Sequence, residues 1–432
     1  MNIKRKIINC CLLIVLLLSG CEQRPSVSET QLNPDEKPIV LTMYHWMGTE
    51  AGTAVTRINE LFHKEYPNIS IQYENAPVDQ YQGVIKTRFV SGDAPDLIGV
   101  FPGTWKDPFV KSGYLMDLTD STWSAKLEDK ARSTMMTGGK LYAMPVDQNA
   151  IGVIYNKKVF KDLKLTIPKS WDEFLEMCEA IKVSGLTPLA LGTKDMWVTQ
   201  IIPLAMAPSA IYHDQPDFDR SMYQGKSSFS RSAWSKMLKD YGELNKRGFF
   251  NKGTLGVTYD QMIHLFATEK TAMMIMGTWA LKPIQLENPD LEVGMFPLPY
   301  TDKGKDAWVS SGVSIGIGAS STTKYPDAVK KYLEFWAKPE INAMFLKEAN
   351  AFTTFKDVDV ELNPAQKEIA SYLSNGTYSF LDQKWPPGVQ DTLFQGIQNL
   401  LINSENSPIQ EILKNLDEVF NKNKSSIEVI PE

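Results

Sequence analysis

GGKLYAMPVDQNAIGVIYNKKVF, Gly138 to Phe160, is the stretch that sets the plan of this chain. The pair Gly138-Gly139 marks a turn into the extended run Leu141–Met144. Pro145 removes a backbone donor and keeps its predecessor out of the helical region. Three polar residues follow, Asp147-Gln148-Asn149, and then Ile151-Gly152-Val153-Ile154-Tyr155 alternates as a strand. Asn156-Lys157-Lys158 opens a helix. Two apolar extended segments joined by a short polar crossing are what a hinge between two lobes requires. A ligand cleft lying over that hinge requires the same.

Composition allows such a plan. At 432 residues the chain is long enough for two core-bearing lobes, and 43% hydrophobic with 22% charged residues is ordinary for a globular protein. Residues 1–20 read as a signal peptide, with Lys4-Arg5-Lys6 ahead of an apolar run from Ile7 to Leu18 that is short for a membrane span. Leu18-Ser19-Gly20-Cys21 resembles the lipobox of bacterial lipoproteins, which implies cleavage before Cys21 and a diacylglycerol on its sulfur. Loss of the three basic residues takes the net charge from −6 to −9. Residues 21–37 are then the lipidated cysteine and a polar, proline-punctuated tether. Of four cysteines, only Cys178 stays in the body, so an intrachain disulfide and a cysteine zinc site are excluded. Phe174, Leu175 and Ile181 stand at helical spacing with Cys178, which makes it a core residue.

Along the chain, strands at 39–44, 69–73 and 96–101 alternate with helices carrying Val55, Ile58, Phe62 and then Tyr81, Ile85, Phe89. This β-α-β-α-β order predicts a parallel sheet covered by helices, with ligands outside the carboxyl ends of the strands. After 141–155 the pattern restarts. Ser170-x-x-Glu173 fits a capping box, 187–191, 271–276 and 291–296 read as strands, and helices are expected at 325–337 and 339–348. Pro297-Leu298-Pro299 is a stiff connection, read as a second lobe crossing. The expected organisation is lobe one at 38–145 and 297–340, and lobe two at 146–296 with C-terminal helices at 341–432.

Four stretches then carry a family resemblance. Ser91-Gly92-Asp93-Ala94-Pro95-Asp96-Leu97, Leu141 to Lys158, FATEKTAMMIMGTW (Phe266–Trp279) and VGMFPLP (Val293–Pro299) are similar to segments of the carbohydrate-binding extracellular solute-binding proteins of bacterial ABC importers. The resemblance implies an α/β, two-lobed, periplasmic-binding-protein-like fold of type II. Each lobe would be a mostly parallel sheet flanked by helices, and two or three hinge crossings would join them. It implies a lipid-anchored, extracytoplasmic, monomeric receptor that closes on a sugar or oligosaccharide and delivers it to ABC permease subunits, with no cofactor.

Sugars are recognised by aromatic rings on their C–H faces and by polar side chains on their hydroxyls. Of 10 tryptophans, Trp46, Trp105, Trp197, Trp279, Trp308 and Trp385 fall on expected loops. The resemblance singles out Trp279 and Trp385, which match positions where the family stacks a sugar. Phe101 stands with Trp105 at a strand end. Asp147, Gln148 and Asn149 form the expected cleft floor, and Glu50, Gln80, Tyr81, Ser310 and Ser311 are nominated by the same logic.

Other chemistries find little support. Gly312-Val313-Ser314-Ile315-Gly316 fits G-x-S-x-G, but Val313, Ile315 and Ile317 alternate straight through it, which places Ser314 in mid-strand. The four histidines lack ligand spacing, no Walker-type glycine loop occurs, and the acidic chain carries no basic stripe for nucleic acid. A secreted carbohydrate-active enzyme with a carboxylate pair, or the same fold with a non-sugar solute, are the alternatives.

Overall fold

The computed structural model describes residues 37–302, 304–403 and 408–427, without the side chains of 49–51. The signal peptide, Cys21 and the tether up to residue 36 lie outside the described residues. From Lys37 onward the chain forms one compact unit. Within it the buried side chains fall into two cores, each built on its own sheet.

The smaller sheet has the order Ile69–Asn75, Ile39–His45, Leu97–Val100, Gly316–Ala319, Ala143–Pro145. The larger has the order Thr377–Tyr378, Val309–Val313, Gln148–Asn156, Thr271–Gly277, Thr187–Ala190, with Val293–Phe296 also paired to Gln148–Asn156. Gln148–Asn156 is a strand of 9 residues. Its first half pairs with Val309–Val313 and its second half with Val293–Phe296 on one edge, and Thr271–Gly277 takes the other edge. The stretch read as the hinge exit is therefore also the spine of the larger lobe.

Strand directions follow from the hinge. Strands 39–45, 69–75 and 97–100 are mutually parallel, and all run toward the crossings. Gly316 is the first residue after a crossing, so its strand runs away from the hinge, antiparallel to both neighbours. By the same logic Gln148–Asn156 leaves the hinge and lies antiparallel to strands 271–277 and 309–313, which approach it. Each sheet is thus mixed at the strand that emerges from a crossing.

The chain changes cores between Val146 and Ala150, between Val309 and Val313, and again between Val358 and Ala365. The Pro297-Leu298-Pro299 run is not a place of change. Met295, Phe296, Leu298 and Tyr300 all belong to the larger core. Closely spaced prolines stiffen any extended connection, including the exit from an edge strand, so they carry no information about which core follows. The helices Pro326–Trp336 and Pro339–Ala349 fall where expected, but the second packs Ile341, Phe345 and Leu346 into the smaller core rather than the larger. The Ser170 cap forms, accepting from Glu173 N at 3.3 Å, while the Glu173 carboxylate reaches Lys169 N at 2.8 Å rather than the cap residue's own amide. Cys178 is buried, and burial pushes its thiol well up.

Candidate functional site: the space between the two sheets

On the smaller lobe, the carboxyl ends of strands 39–45 and 97–100 deliver an aromatic wall. Trp46 stacks on Phe101 with ring centres 3.8 Å apart and planes 2° from parallel. Trp105 approaches Phe101 edge-on at 5.2 Å and stacks on Phe109 at 4.6 Å. Trp46 can lie this low because residue 99 is glycine: a Cβ there would sit 2.5 Å from the indole. His45 fixes the loop from beneath. Its Nδ1 accepts the amides of Trp46 at 2.9 Å and Met47 at 3.2 Å, so the ring proton is on Nε2. Burial holds the imidazole neutral, with its pKa pushed down to about 3.

The larger lobe repeats the device. Strand 271–277 ends at Gly277, and a Cβ there would meet the Trp279 indole at 2.1 Å. Trp279 lies 6.4 Å from Trp197 and 6.3 Å, edge-on, from Phe380. Trp197 in turn packs on Tyr259 at 5.1 Å. Trp46, Phe101, Trp105, Trp197 and Trp279 are all partly exposed, unlike the fully packed Trp123, Trp234 and Trp336. Two groups of half-open indoles, one over Gly99 within strand 97–100 and one over Gly277 at the end of strand 271–277, therefore stand where strands run toward the crossings.

The lobes touch at the margins of this space. The Asp79 carboxylate accepts the amide of Met196 at 3.2 Å. Thr104 Oγ1 donates to the carbonyl of Trp385, and Gln383 Nε2 donates to that of Val313 at 2.7 Å. Gly103, at φ +77°, lies so close that an added Cβ would be 1.9 Å from the Gln383 carbonyl oxygen.

A family model described as "Bacterial extracellular solute-binding protein" matches residues 48–343. The chain belongs to that family. A "Multiple sugar-binding protein" of Streptococcus mutans is 26% identical over 423 residues, covering 96% of each chain. A "Melibiose/raffinose/stachyose-binding protein" of Bacillus subtilis is 24% identical over 346 residues, covering 78% of each. Among solved structures, a "Chitin oligosaccharide binding protein" superposes with a TM-score of 0.81 at 24% identity, over 90% of this chain and 99% of the other. The protein is thus an extracellular solute-binding protein and not an enzyme. Among the described residues, no helix is long and apolar enough to cross a membrane, and no cluster of His, Cys, Asp or Glu is placed to hold a metal.

In this solute-binding protein the crossing residues hold the hinge rather than face the open space. Asp147 is 2% exposed and its carboxylate accepts the Ile315 amide at 2.8 Å, Ser314 Oγ at 2.9 Å and Asn149 Nδ2 at 2.8 Å. The Ser314 amide adds a longer bond at 3.3 Å. Asn149 accepts from Thr278 Oγ1 at 2.7 Å, which ties the same network to the start of the Trp279 turn. The polar crossing turned out to be buried and internally satisfied, so Asp147 and Asn149 leave the set of direct ligand contacts. Gln148 is half-buried. Its backbone exchanges hydrogen bonds with Phe352, at 2.9 and 2.7 Å, and its side-chain amide reaches Ser311 Oγ at 3.4 Å. Ser314 is not in mid-strand. It sits at the break between strands 309–313 and 316–319, bonded to Asp147 and Asn149.

Tyr81 is also corrected: it is 0% exposed and donates to the Gly99 carbonyl at 2.7 Å, backing the wall from behind. Trp385 is 5% exposed, packed 5.8 Å from both Phe229 and Trp234. Trp308 precedes the start of strand 309–313, the end remote from the crossings, where its ring lies over Gly376 and His213. Ser310 is buried and its Oγ has no partner, while Ser311 is buried beside Gln148. Gln80 is exposed on the first turn of helix Val78–Ser91. Glu50 lies in helix Thr49–Glu65, its side chain outside the described residues. Sequence reasoning missed Asp79 and Gln383, which join the lobes, and Phe380, which flanks Trp279. Gly99 and Gly277 signalled only the close approach of Trp46 and Trp279, since a glycine in a strand marks one.

Burial gives the hinge a pH signature. It raises the Asp147 carboxyl from 3.8 to about 6, against the opposing hydrogen bonds from Ser314, Ile315 and Asn149. A carboxyl whose folded pKa is raised binds its proton more tightly in the folded protein than in the unfolded chain. Its contribution to stability is therefore greatest below pH ~4, falls as pH rises toward ~6, and is flat above. A shift of this size corresponds to about 3 kcal/mol. Asp382, also pushed up to about 6 by burial, acts in the same direction. His45, held neutral by burial, contributes the opposite slope, so in urea denaturation between pH 4 and 7 Asp147→Asn is expected to lose the Asp147 part of the fall with pH and keep the opposing parts due to Asp382 and His45. An unchanged slope in the variant would show that Asp147 does not titrate in this range.

Proposed function

We propose that this protein is a lipid-anchored receptor that captures a sugar or oligosaccharide between its lobes and delivers it to the permease of an ABC importer. The carrying observation is the pair of half-open indole groups, Trp46 with Phe101 and Trp105 on one lobe, Trp197 with Trp279 on the other. Flat amphipathic rings on both sides of a closing space suit a pyranose, which has apolar faces and a polar rim. The sugar-binding names of its relatives support the same class of ligand. The three crossings supply a hinge, and a ligand touching both walls favours the closed form through its differential affinity. The lipobox-like Leu18-Ser19-Gly20-Cys21 supports an anchor on Cys21, with two acyl chains holding the receptor at the outer membrane face. Asp147, Asn149 and Thr278 act as hinge residues in this reading, and Trp46, Phe101, Trp105, Trp197 and Trp279 as the ligand-contacting set.

The test is a thermal-shift screen of residues 22–432 against melibiose, raffinose, stachyose, and short chito-, xylo- and malto-oligosaccharides. A ligand at 100 times its Kd stabilises by about 2.7 kcal/mol. One series is expected to raise Tm by several degrees, with the sugar recovered unchanged. No shift with any sugar, or turnover of the one that binds, would overturn the reading.

A further inference from the structure

The contacts that join the lobes differ in their distance from the crossings. Gly103 and Thr104, which meet Gln383 and Trp385, follow strand 97–100, the direct neighbour of the crossing strand 316–319. Asp79, which meets Met196, lies farther out. It stands in the first turn of helix Val78–Ser91, after strand 69–75, which is the edge of the smaller sheet and three places from strand 316–319. Met196 follows strand 187–190, which is the edge of the larger sheet and two places from strand 148–156. At about 4.8 Å per strand, these steps amount to roughly 14 and 10 Å from the crossing strands. A rotation about the crossings therefore moves the Asp79 contact farther than the one at Thr104.

The larger lobe leaves an amide open at this place. Met196–Gln200 is the first turn of a helical run that continues through Ile201–Ala207. Asp195 holds its N-cap position but makes no cap bond, because its carboxylate accepts the Tyr259 amide at 2.6 Å. The acceptor for the Met196 amide comes from the other lobe: Asp79 Oδ2, at 3.2 Å. Amides at the start of a helical run favour an anion. Burial, chiefly, and the carboxylates of Asp195 and Asp391 raise the Asp79 carboxyl, while the amides of Met196 and Trp197 act against them. The bond also holds the turn that carries the Trp197 indole.

We infer that Asp79 is a closure latch: its bond to Met196 forms as the lobes come together and is lost as they part, so Asp79 sets the affinity for every ligand without touching one. A ligand that bridges the lobes gains whatever the latch adds to the closed form. The inference rests on the receptor reading for its ligand, while the latch itself is a property of the two lobes.

Calorimetric Kd values for each sugar of the screen that binds test it, together with dissociation rates from stopped flow. Asp79→Ala is expected to raise every Kd about fivefold, by the same factor for short and long sugars and mostly through faster dissociation. Asp79→Asn keeps an acceptor oxygen and is expected to stay within about twofold of wild type. Lobe separation is read without any sugar from spin labels at Val90→Cys on the smaller lobe and Val183→Cys on the larger, positions 71% and 79% exposed, while Cys178 is buried and stays unlabelled. Sugar-free Asp79→Ala is expected to lose part of the closed population seen in wild type. Unchanged Kd values, or a loss confined to some of the sugars, which would make Asp79 a ligand contact, overturn the latch while the receptor reading stands. If no sugar binds, the receptor reading falls, and the label distances decide the latch alone: identical distributions in wild type and Asp79→Ala overturn it.

Discussion

Asp147→Ala is expected to lower folding stability by about 2–4 kcal/mol, read from the midpoint of urea unfolding at pH 7. Removing the carboxylate leaves the Ile315 amide and the Ser314 amide and hydroxyl without their acceptor, while Asn149 Nδ2 keeps only Ser314 Oγ. Each buried donor so orphaned costs about 1–3 kcal/mol, and neighbours in one network do not add fully. An opposing term reduces the loss. The carboxyl's pKa of about 6 shows that burial already disfavours its ionised form, and alanine relieves that penalty. Asparagine keeps one acceptor oxygen and the shape, so Asp147→Asn is expected to cost only about 1 kcal/mol. If alanine proves no worse than asparagine, the hydrogen bonds across the crossings do not hold the hinge. The effect should also appear at a distance. Asn149 is bonded to both Asp147 and Thr278, so the alanine variant is expected to loosen the turn that carries Trp279.

The two halves of this network differ in how far they could be read from the chain itself. Ile151 to Tyr155 showed its strand by alternation, and the structure makes it the paired spine of the larger sheet. The tryptophans at strand ends were legible for the same reason: a strand that stops at a known residue places its next side chain. What local pattern does not carry is partnership over distance. Asp147 looked like a ligand-facing cleft floor because its donors at Ser314 and Ile315 are 167 and 168 residues away in sequence. Trp308 and Trp385 looked like Trp46 and Trp279, because flanking residues do not say which end of a strand faces the hinge. Tyr81 was placed in the right cluster but on its hidden side, since a helical period gives a face and not a depth.

The glycine-seated indoles make the last expectation a sharp one. Trp279→Ala is expected to weaken sugar binding by about 1–3 kcal/mol, roughly 5- to 150-fold in Kd, with the protein still folded. The ring is partly exposed, and its neighbours are Trp197 and Phe380 at more than 6 Å between ring centres. Its loss therefore costs little packing, of order 1 kcal/mol in stability, while it removes a whole stacking face from the ligand. Gly277→Ala separates the ring's position from its presence. The new methyl must displace the indole, because its contact distance of 2.1 Å cannot persist, and two side-chain torsions let the ring swing aside. That variant keeps Trp279 in the chain and is expected to bind more weakly than wild type, though better than Trp279→Ala. Trp279→Phe, with a smaller flat face, should fall between wild type and alanine. If Trp279→Ala leaves every Kd unchanged while Tm drops, the indole belongs to the wall and not to the ligand. The stacking surface would then have to lie on Trp46, Phe101, Trp105 and Trp197.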